Sequence, residues 1–240
     1  MRLAILSDVH GNLDALEAVL EDIESFNVDS RICLGDVVGY GAEPNACVDR
    51  IRDACDVVLV GNHDRTAIGM EDSENFNAFA REAILWTAAK LNPGSIEFLV
   101  DCPLTTELDA AVFAHATPFR PEEWRYIFTP VDGRIELALT PARLCFVGHS
   151  HHAFVCSESG DATLLGFGEV RIEQSDRYLI NAGSVGQPRD GDPRAAFLIW
   201  DQDTCEIQVR RTNYDIASAQ EKIRNARLPG FLADRLALGR

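Results

Sequence analysis

The six histidines of this 240-residue chain all follow segments that we predict to be β-strands. Each histidine lies at or just after the carboxyl end of such a segment, and none falls inside a predicted helix. The six are His10, His63, His115, His149, His151 and His152. An α/β sheet gathers its ligands at the carboxyl ends of its strands. This placement therefore predicts a shared site rather than six separate packing positions.

Aspartates accompany the histidines at the same strand ends. Side chains two residues apart project to the same side of an extended segment. The chain contains two such pairs, Asp8 with His10 and His149 with His151, and each pair is predicted to aim at one point. A glycine precedes Asp36, which suits a tight turn just beyond a strand.

Seven imidazole, carboxylate and amide side chains form the candidate metal site. They are Asp8, His10, Asp36, Asn62, His115, His149 and His151. Ligands of this kind, without thiolate, suit Zn, Mn, Fe, Ni or Co, and the set is too large for one ion. Two divalent ions bridged by one carboxylate account for the number. Two ions about 3.5–4 Å apart can clamp a phosphoryl group and generate hydroxide at neutral pH. The sequence therefore predicts hydrolysis of a small phosphomonoester or phosphodiester, with a nucleotide among the candidate substrates.

The formal net charge of −16 argues against a broad nucleic-acid surface, because such a surface neutralises many phosphates with Lys and Arg. Two divalent ions would outweigh two aspartates and one hydroxide, so a small phosphorylated substrate can still be attracted locally. No apolar run approaches the roughly 20 residues that cross a bilayer, so no membrane partner is expected. The amino terminus turns polar too early for a secretory segment, and the seven cysteines contain no CxxC pair. We therefore expect a cytoplasmic protein with reduced thiols.

The elements that must position the site are read from hydrophobic periodicity. In the first half, strands are predicted at 2–7, 30–34, 57–60 and 111–114. Asn12 is predicted to cap a helix after the first strand, and a second helix is predicted around 43–53. The alternation of strands and helices implies a sheet with crossover helices.

From residue 144 onwards the pattern changes to short strands separated by Gly and Asp, which indicates a second sheet packed on the first. These strands are predicted at 144–148, 153–157, 162–166, 169–173, 178–181, 195–200 and 205–213. We predict one α/β domain over 1–240. Its other features are surface excursions at 64–108, with a helix at 78–91, and at 116–142, and terminal helices at 215–226 and 230–238.

Taken in order, these residues resemble the calcineurin-like metallophosphoesterase superfamily. Its pattern is D-x-H, G-D, G-N-H-[D/E], H and G-H-x-H. The chain matches it with Asp8-Val9-His10, Gly35-Asp36, Gly61-Asn62-His63-Asp64, His115 and Gly148-His149-Ser150-His151. The segment from Asn181 to Gly186 is similar to the N-P-G-S-V segment of small bacterial-type members, with Ala182 in place of Pro.

The resemblance implies a four-layer α/β-β/α sandwich of two mixed sheets flanked by helices, with a dimetal centre at the strand ends. It implies that one metal is held by Asp8, His10, Asp36 and His151, and the other by Asp36, Asn62, His115 and His149, with Asp36 as the bridge. The nucleophile would be the hydroxide between the metals. His63 would contact the phosphate or protonate the leaving oxygen.

Several alternatives stay open on the sequence. A non-catalytic protein-binding scaffold of the same fold is one, although such members have lost metal ligands. A protein Ser/Thr phosphatase is another, although those enzymes carry Asp-Arg-Gly where this chain has Gly39-Tyr40-Gly41, so the acidic partner of His63 is missing. For substrate binding we name Asn62, His63 and Arg65. Four other arginines are further candidates without preference, namely Arg120, Arg125, Arg189 and Arg194.

Overall fold

The computed structural model describes residues 1–74 and 76–240, so one position inside the predicted excursion 64–108 lies outside the described residues. The strands of the described chain are β1 (Arg2–Leu6), β2 (Ser30–Cys33), β3 (Val57–Val58), β4 (Thr105–Leu108), β5 (Ala111–Ala114), β6 (Leu144–Val147), β7 (Ala153–Ser157), β8 (Thr163–Leu165), β9 (Gly168–Arg171), β10 (Tyr178–Ala182), β11 (Ala195–Asp201) and β12 (Glu206–Thr212). They form two six-stranded mixed sheets, ordered β3-β2-β1-β11-β12-β9 and β4-β5-β6-β10-β7-β8. The predicted pair of mixed sheets is confirmed.

Helices cover the outer faces of the two sheets. In chain order the helices are α1 (Leu13–Glu24), α2 (Pro44–Ala54), α3 (Asn62–Ala67), α4 (Ala78–Lys90), α5 (Pro93–Asp101), α6 (Pro130–Leu139), α7 (Ile216–Asn225) and α8 (Gly230–Asp234), with 3-10 turns at Pro121–Glu123 and Arg235–Leu238. As predicted, Asn12 caps α1, because its side chain accepts a hydrogen bond from the Ala15 amide. No helix of the described chain combines the length and apolar character that a membrane span requires.

The alternating faces of β1 explain the four layers. Ala4 and Leu6 pack into the core under α1 and α2, whereas Leu3 and Ile5 pack into the core between the two sheets. A strand that is covered on both faces is apolar along its whole length, as the segment 2–6 largely is. The second sheet is covered in turn by α6, whose Leu137 packs on strands β7 and β10.

Several elements went unpredicted, mostly within the two excursions. Helix α6 lies inside the predicted excursion 116–142, and its capping box, in which Thr129 and Asp132 bond each other's backbone amides, was overlooked. Gly133 lowers the helical propensity there, but it lets α6 approach β7, since a Cβ would lie 2.7 Å from Cys156 Sγ. Helix α5 and strand β4 lie inside the predicted excursion 64–108, and helix α3 begins two residues before it. Strand β4 pairs with β5 in the second sheet.

The topology brings the carboxyl ends of several strands from both sheets to one region. Strands β1 and β2 run parallel, as do β5 and β6, and β6 and β10. Backbone hydrogen bonds join the two groups beyond the strands, for example from the Gly186 amide to the Asp8 carbonyl at 2.9 Å. Loops from both halves of the sequence therefore meet at one place.

Candidate metal centre

The loops that follow the strands turn sharply at the candidate ligands. Five of the seven have positive φ angles, in the left-handed region that side chains other than Gly seldom adopt: Asp8 (57°), His10 (50°), Asp36 (52°), His149 (63°) and His151 (60°). The prediction that Asp8 with His10, and His149 with His151, lie in extended segments is therefore wrong. Such conformations cost on the order of 1–3 kcal/mol each and cluster at functional sites.

The first group of ligand atoms comes from the loop after β1 and from the loop after β6. Asp8 Oδ1 lies 3.2 Å from His151 Nε2 and 3.6 Å from His10 Nε2. The two imidazole Nε2 atoms are 3.0 Å apart. All three residues are buried, and their ligand atoms lie within 4.8 Å of one another, close enough to hold one metal ion.

The second group comes from β2, β5 and the loop after β6. Asp36 Oδ2 lies 3.2 Å from His115 Nε2, and His115 Nε2 lies 3.2 Å from His149 Nδ1. Asp36 Oδ2 also lies 3.7 Å from His10 Nε2 in the first group. Asp36 Oδ2 is thus close to a histidine of each group, as a bridging ligand must be, and Asp8 Oδ1 lies 3.9 Å from His115 Nε2 in the second group.

The outward nitrogen of each of the four histidines lies against a backbone carbonyl oxygen. Those distances are 3.1 Å from His10 to Val38, 3.2 Å from His115 to Leu34, 2.6 Å from His151 to Gln187 and 3.0 Å from His149 to Trp124. A carbonyl can only accept a hydrogen bond, so we assign the proton of the neutral ring to that nitrogen. The inward nitrogen then carries a lone pair, as a metal ligand must.

These tautomers make the site a good fit for cations. Two lone pairs face each other at 3.0 Å in the first group and at 3.2 Å in the second. Such pairs repel unless a proton or a metal ion lies between them. In addition, Asp8 Oδ1 and Asn62 Oδ1 are buried and accept no hydrogen bond within the described chain. Buried polar atoms are seldom left unpaired, so these two oxygens are also suited to bind a metal ion.

Burial and charge set the protonation states of the centre. Burial raises the pKa of Asp8, but His151 and His115 outweigh it and hold the pKa well below its usual value. Burial lowers the pKa of His149 to about 4 and that of His151 to about 3, so both rings are neutral at pH 7. For His115, burial lowers the pKa, but Asp36 and Asp8 raise it to about 9. Without metal, His115 therefore carries the positive charge that the two carboxylates require.

Two glycines permit the close approach of backbone to these carboxylates. A Cβ on Gly61 would lie 2.1 Å from Asp36 Oδ1, and a Cβ on Gly148 would lie 2.1 Å from Ser7 Oγ and 2.6 Å from Asp8 Oδ2. The backbone also orients the acids, since the His63 amide donates to Asp36 Oδ1 at 2.9 Å and the His149 amide donates to Asp8 Oδ2 at 3.0 Å. A side chain at Gly61 would therefore displace the Asp36 carboxylate, and one at Gly148 would displace that of Asp8.

His63 lies in α3 beside the centre, inside an aromatic enclosure. Its ring centroid is 4.5 Å from that of Tyr40, 4.6 Å from Phe76 and 4.8 Å from His10. Its Nδ1 is buried without a hydrogen bond among the described residues, and a Cβ on Gly39 would lie 2.6 Å from it. The adjacent Asp64 carboxylate accepts instead from the Val38 and Gly61 amides. Among the described residues no carboxylate lies within 4.0 Å of His63, but its ligand atom lies within 4.8 Å of those of His10 and Asp36. Burial lowers the pKa of His63 well below the usual value.

Two residues from the sequence analysis lie outside the two groups. Arg65 Nε donates to Glu71 Oε1 at 2.6 Å, and Glu71 Oε2 accepts from Trp124 Nε1 at 2.7 Å. The role of Arg65 in phosphate binding stays a prediction. His152 Nδ1 lies 2.7 Å from the Ser150 carbonyl, and its ring contacts Phe128 edge-on at 5.7 Å.

The structure favours one arginine that the sequence did not single out. The Arg189 guanidinium lies 5.4 Å above the ring of Tyr40, which itself contacts His10 and His63. Among the described residues Arg189 has no carboxylate partner within 4.0 Å, and its charge contributes to the low pKa of His151. Arg189 lies just after the segment that resembles N-P-G-S-V, and this position is the sequence feature that could have identified it.

Comparison with known proteins agrees with this geometry. The family model of the calcineurin-like phosphoesterase superfamily domain matches residues 1–204. The chain therefore belongs to the calcineurin-like phosphoesterase superfamily, and its fold is that of this family.

Similar proteins span the whole chain. An uncharacterized protein of Methanocaldococcus jannaschii, MJ0912, is 44% identical over 242 residues, covering 99% of this chain and 98% of that protein. The crystal structure of a metallophosphoesterase from Sphaerobacter thermophilus matches with a TM-score of 0.89 and 38% identity, covering 100% and 99%. That of the hypothetical protein PH1004 from Pyrococcus horikoshii matches with a TM-score of 0.80 and 18% identity, covering 100% and 98%, which shows a shared fold.

Proposed function

We propose that this protein hydrolyses a small phosphomonoester or phosphodiester with the help of two divalent transition-metal ions. The observation that carries the proposal is the pair of inward-facing imidazole nitrogens in each group, 3.0 Å apart in the first and 3.2 Å apart in the second, with Asp8 and Asp36 beside them. Family membership supports the reaction class, since the family is one of phosphoesterases. The seven unpaired cysteines also support a cytoplasmic location.

The residues fit two ions that share one carboxylate. The first ion would be held by Asp8, His10, Asp36 and His151, and the second by Asp36, Asn62, His115 and His149. When bound, such ions supply an activated water and positive charge for the phosphoryl oxygens. The chain contributes rigidity, because the backbone carbonyls fix each imidazole and backbone amides fix both carboxylates.

We assign the role of general acid to His63. Nothing in the described chain accepts a hydrogen bond from its Nδ1, which lies against Gly39, so the proton of the neutral ring resides on Nε2. In the neutral ring Nε2 can donate a hydrogen bond to a phosphoryl oxygen. When the ring takes up a second proton beside the anionic phosphate, the imidazolium can pass a proton to the leaving oxygen and return to the neutral form. The neighbouring Tyr40 and Phe76 rings hold the imidazole in place. Loss of a general acid lowers turnover by roughly 10²–10⁴-fold.

The proposal is tested with protein reconstituted in turn with Mn, Fe, Zn, Ni and Co. The substrates are p-nitrophenyl phosphate, bis(p-nitrophenyl) phosphate and a panel of natural phosphoesters, and metal content is measured on the same samples. We expect two metal equivalents per chain and metal-dependent release of product. Absence of turnover with every metal and every ester would instead support a binding scaffold.

A further inference from the structure

A groove of about 560 Å³ lies beside the centre, and we call it the side groove. Its volume is within the range of about 300–1,000 Å³ that is typical of small-molecule sites. Its lining includes Phe128, His152, Leu165, Gly166, Arg189 and Asp190. It adjoins the first ligand group, because His152 directly follows His151 and the Arg189 amide donates to the His151 carbonyl at 3.2 Å.

Arg189 gives the groove a fixed positive charge at the end nearest the centre. Its guanidinium donates to Gln187 Oε1 at 2.7 Å and lies above Tyr40, with no carboxylate within 4.0 Å in the described chain. Tyr40 in turn contacts His63. In a chain with net charge −16, an arginine without an acidic partner beside such a centre is suited to a phosphoryl oxygen.

Asp190 offers an unused hydrogen-bond acceptor on the groove wall. One carboxylate oxygen, Oδ2, accepts from the Ala153 amide at 3.1 Å and from the guanidinium of Arg211. The Arg211 side chain is fully buried and also donates to the Gly166 carbonyl, so this wall is rigid. The other oxygen, Oδ1, is buried and accepts no hydrogen bond from the described residues. Because Oδ1 is shielded from solvent, an N–H or O–H donor of a ligand reaches it after a small shift of the groove lining and then satisfies it.

Two side chains of the groove lining are large, apolar and exposed. Phe128 is 50% exposed and Leu165 is 66% exposed, although both are large apolar side chains. The Phe128 ring is stacked on Tyr126 with an interplanar angle of 4°, and His152 meets it edge-on, so its orientation is fixed. Exposed, ordered aromatic faces of this kind are suited to stacking on planar rings.

A second opening flanks the other ligand group. It measures about 290 Å³, and its lining includes Asn62, Phe76, Trp124 and His149. A phosphomonoester has one organic substituent, whereas a phosphodiester has two. Two openings, each next to a different group of candidate ligands, give each substituent of a diester its own space.

We propose that the side groove binds one substituent of a phosphodiester, and that this substituent is a planar, ring-bearing group with a hydrogen-bond donor, such as a nucleoside. This inference rests on the proposed function for its reaction. Water adds to phosphorus, the bond to the other substituent breaks, and that alcohol leaves with a proton. The groove-bound substituent stays esterified. Arg189 holds a phosphoryl oxygen, Asp190 accepts the donor and Phe128 contacts the ring.

The test compares two diesters with the same leaving group. Thymidine 5′-(p-nitrophenyl phosphate) and ethyl p-nitrophenyl phosphate both release p-nitrophenol and differ only in the retained substituent. We expect kcat/KM to be at least about tenfold higher for the thymidine ester, because only thymidine fills the groove. Phe128→Ala should reduce that ratio at least about fivefold, chiefly through KM.

The matched control is Phe231→Ala, which removes an aromatic ring of similar exposure, 48%, from α8, outside both openings. It should keep the wild-type ratio. Equal kcat/KM for the two diesters in the wild-type protein would overturn the inference, and so would a ratio that Phe128→Ala leaves unchanged.

A binding measurement separates this inference from the proposed function. Thymidine 5′-phosphate and ethyl phosphate are titrated into the protein by calorimetry, which needs no turnover, and the recovered ligands are checked for hydrolysis. Tighter binding of thymidine 5′-phosphate that Phe128→Ala weakens would support the groove even if neither diester were hydrolysed. Equal binding of the two phosphates, or no binding of either, would overturn the inference even if both diesters were hydrolysed.

Discussion

The candidate metal centre and the residues around the two openings, which we call the rim and which include Glu71 and Trp124, are stabilised by different kinds of contact. In the centre, backbone carbonyls and amides fix the candidate ligands, and five of those ligands have strained, positive φ angles. At the rim, side chains contact side chains, as in the link from Arg65 through Glu71 to Trp124. Under the proposed function, we expect the reaction to depend on residues that the backbone fixes and substrate choice to depend on exchangeable side chains. Substitutions should therefore have much larger effects in the centre than at the rim.

The largest effect is expected for Asp36→Asn. Its carboxylate faces both ligand groups, so the loss of one charge should weaken both ions together. We expect metal content to fall from two equivalents towards none and kcat/KM to fall by on the order of 10³-fold or more, since metal catalysis is worth several kcal/mol. Elemental analysis and the diester assay measure both quantities. Retention of one full equivalent would show that Asp36 does not serve both ions.

His63→Ala should act on turnover alone. The ring contacts Tyr40 and Phe76, and its ligand atom lies within 4.8 Å of those of His10 and Asp36. The proposed role does not make His63 a metal ligand, so metal content should stay at the wild-type value. Loss of the general acid should lower kcat by roughly 10²–10⁴-fold. The effect should be smaller for p-nitrophenyl esters than for alkyl esters, because p-nitrophenolate leaves without protonation. Loss of metal in this variant would contradict the role that we assign.

Metal-free protein should lose stability as the pH rises from 7 to 9.5. The pKa of His115 is raised to about 9, so its contribution to stability is fully present below its unfolded value of about 6.5 and is lost as the pH rises through 9. One group changes the free energy of unfolding by at most about 1.4 kcal/mol per pH unit, which corresponds to a fall in Tm of roughly 3–5 °C. The lowered pKa values of His149 and His151 affect the free energy of unfolding only below about pH 6.5, so they do not contribute to this change.

The same measurement on metal-loaded protein provides the comparison. Bound cations take the place of the proton on His115, so Tm should change little between pH 7 and 9.5, and metal affinity should increase over this range. His152→Gln is a suitable control variant, because His152 lies outside both ligand groups. A metal-free Tm that stays constant or increases with pH would contradict the charge state that we assign to His115.

The smallest effect is expected for Glu71→Gln at the rim. The substitution removes the charge that pairs with Arg65 but keeps an oxygen for Trp124 Nε1. Partly exposed ion pairs contribute about 0–1 kcal/mol, so the free energy of unfolding should change by less than about 1 kcal/mol. Values of KM should change by no more than about fivefold, and kcat should be unchanged. A decrease in kcat comparable to that of His63→Ala would show that the rim takes part in the chemistry.

Much of the fold followed from local pattern. Helix α1 and its cap at Asn12 were predicted because the cap and the apolar positions lie within one short segment. Helix α6 was missed because Gly133 weakens the local signal, and only its packing on Cys156 explains the glycine. Strand β4 was missed because its polar sequence does not predict a strand. Its extended conformation is stabilised by pairing with β5, which only the tertiary structure shows.

The candidate site also has features that the sequence predicts and features that only the tertiary structure shows. The sequence by itself determined which residue types are available and where each follows a strand, because those properties are local. It did not determine that Asp8 and Asp36 adopt left-handed conformations, since hydrogen bonds from distant loops stabilise them. Nor did it pair His10 with His151 or place Arg189 above Tyr40. Only the tertiary structure decided these contacts, because residues far apart in the chain meet only when two sheets pack and their strand ends adjoin.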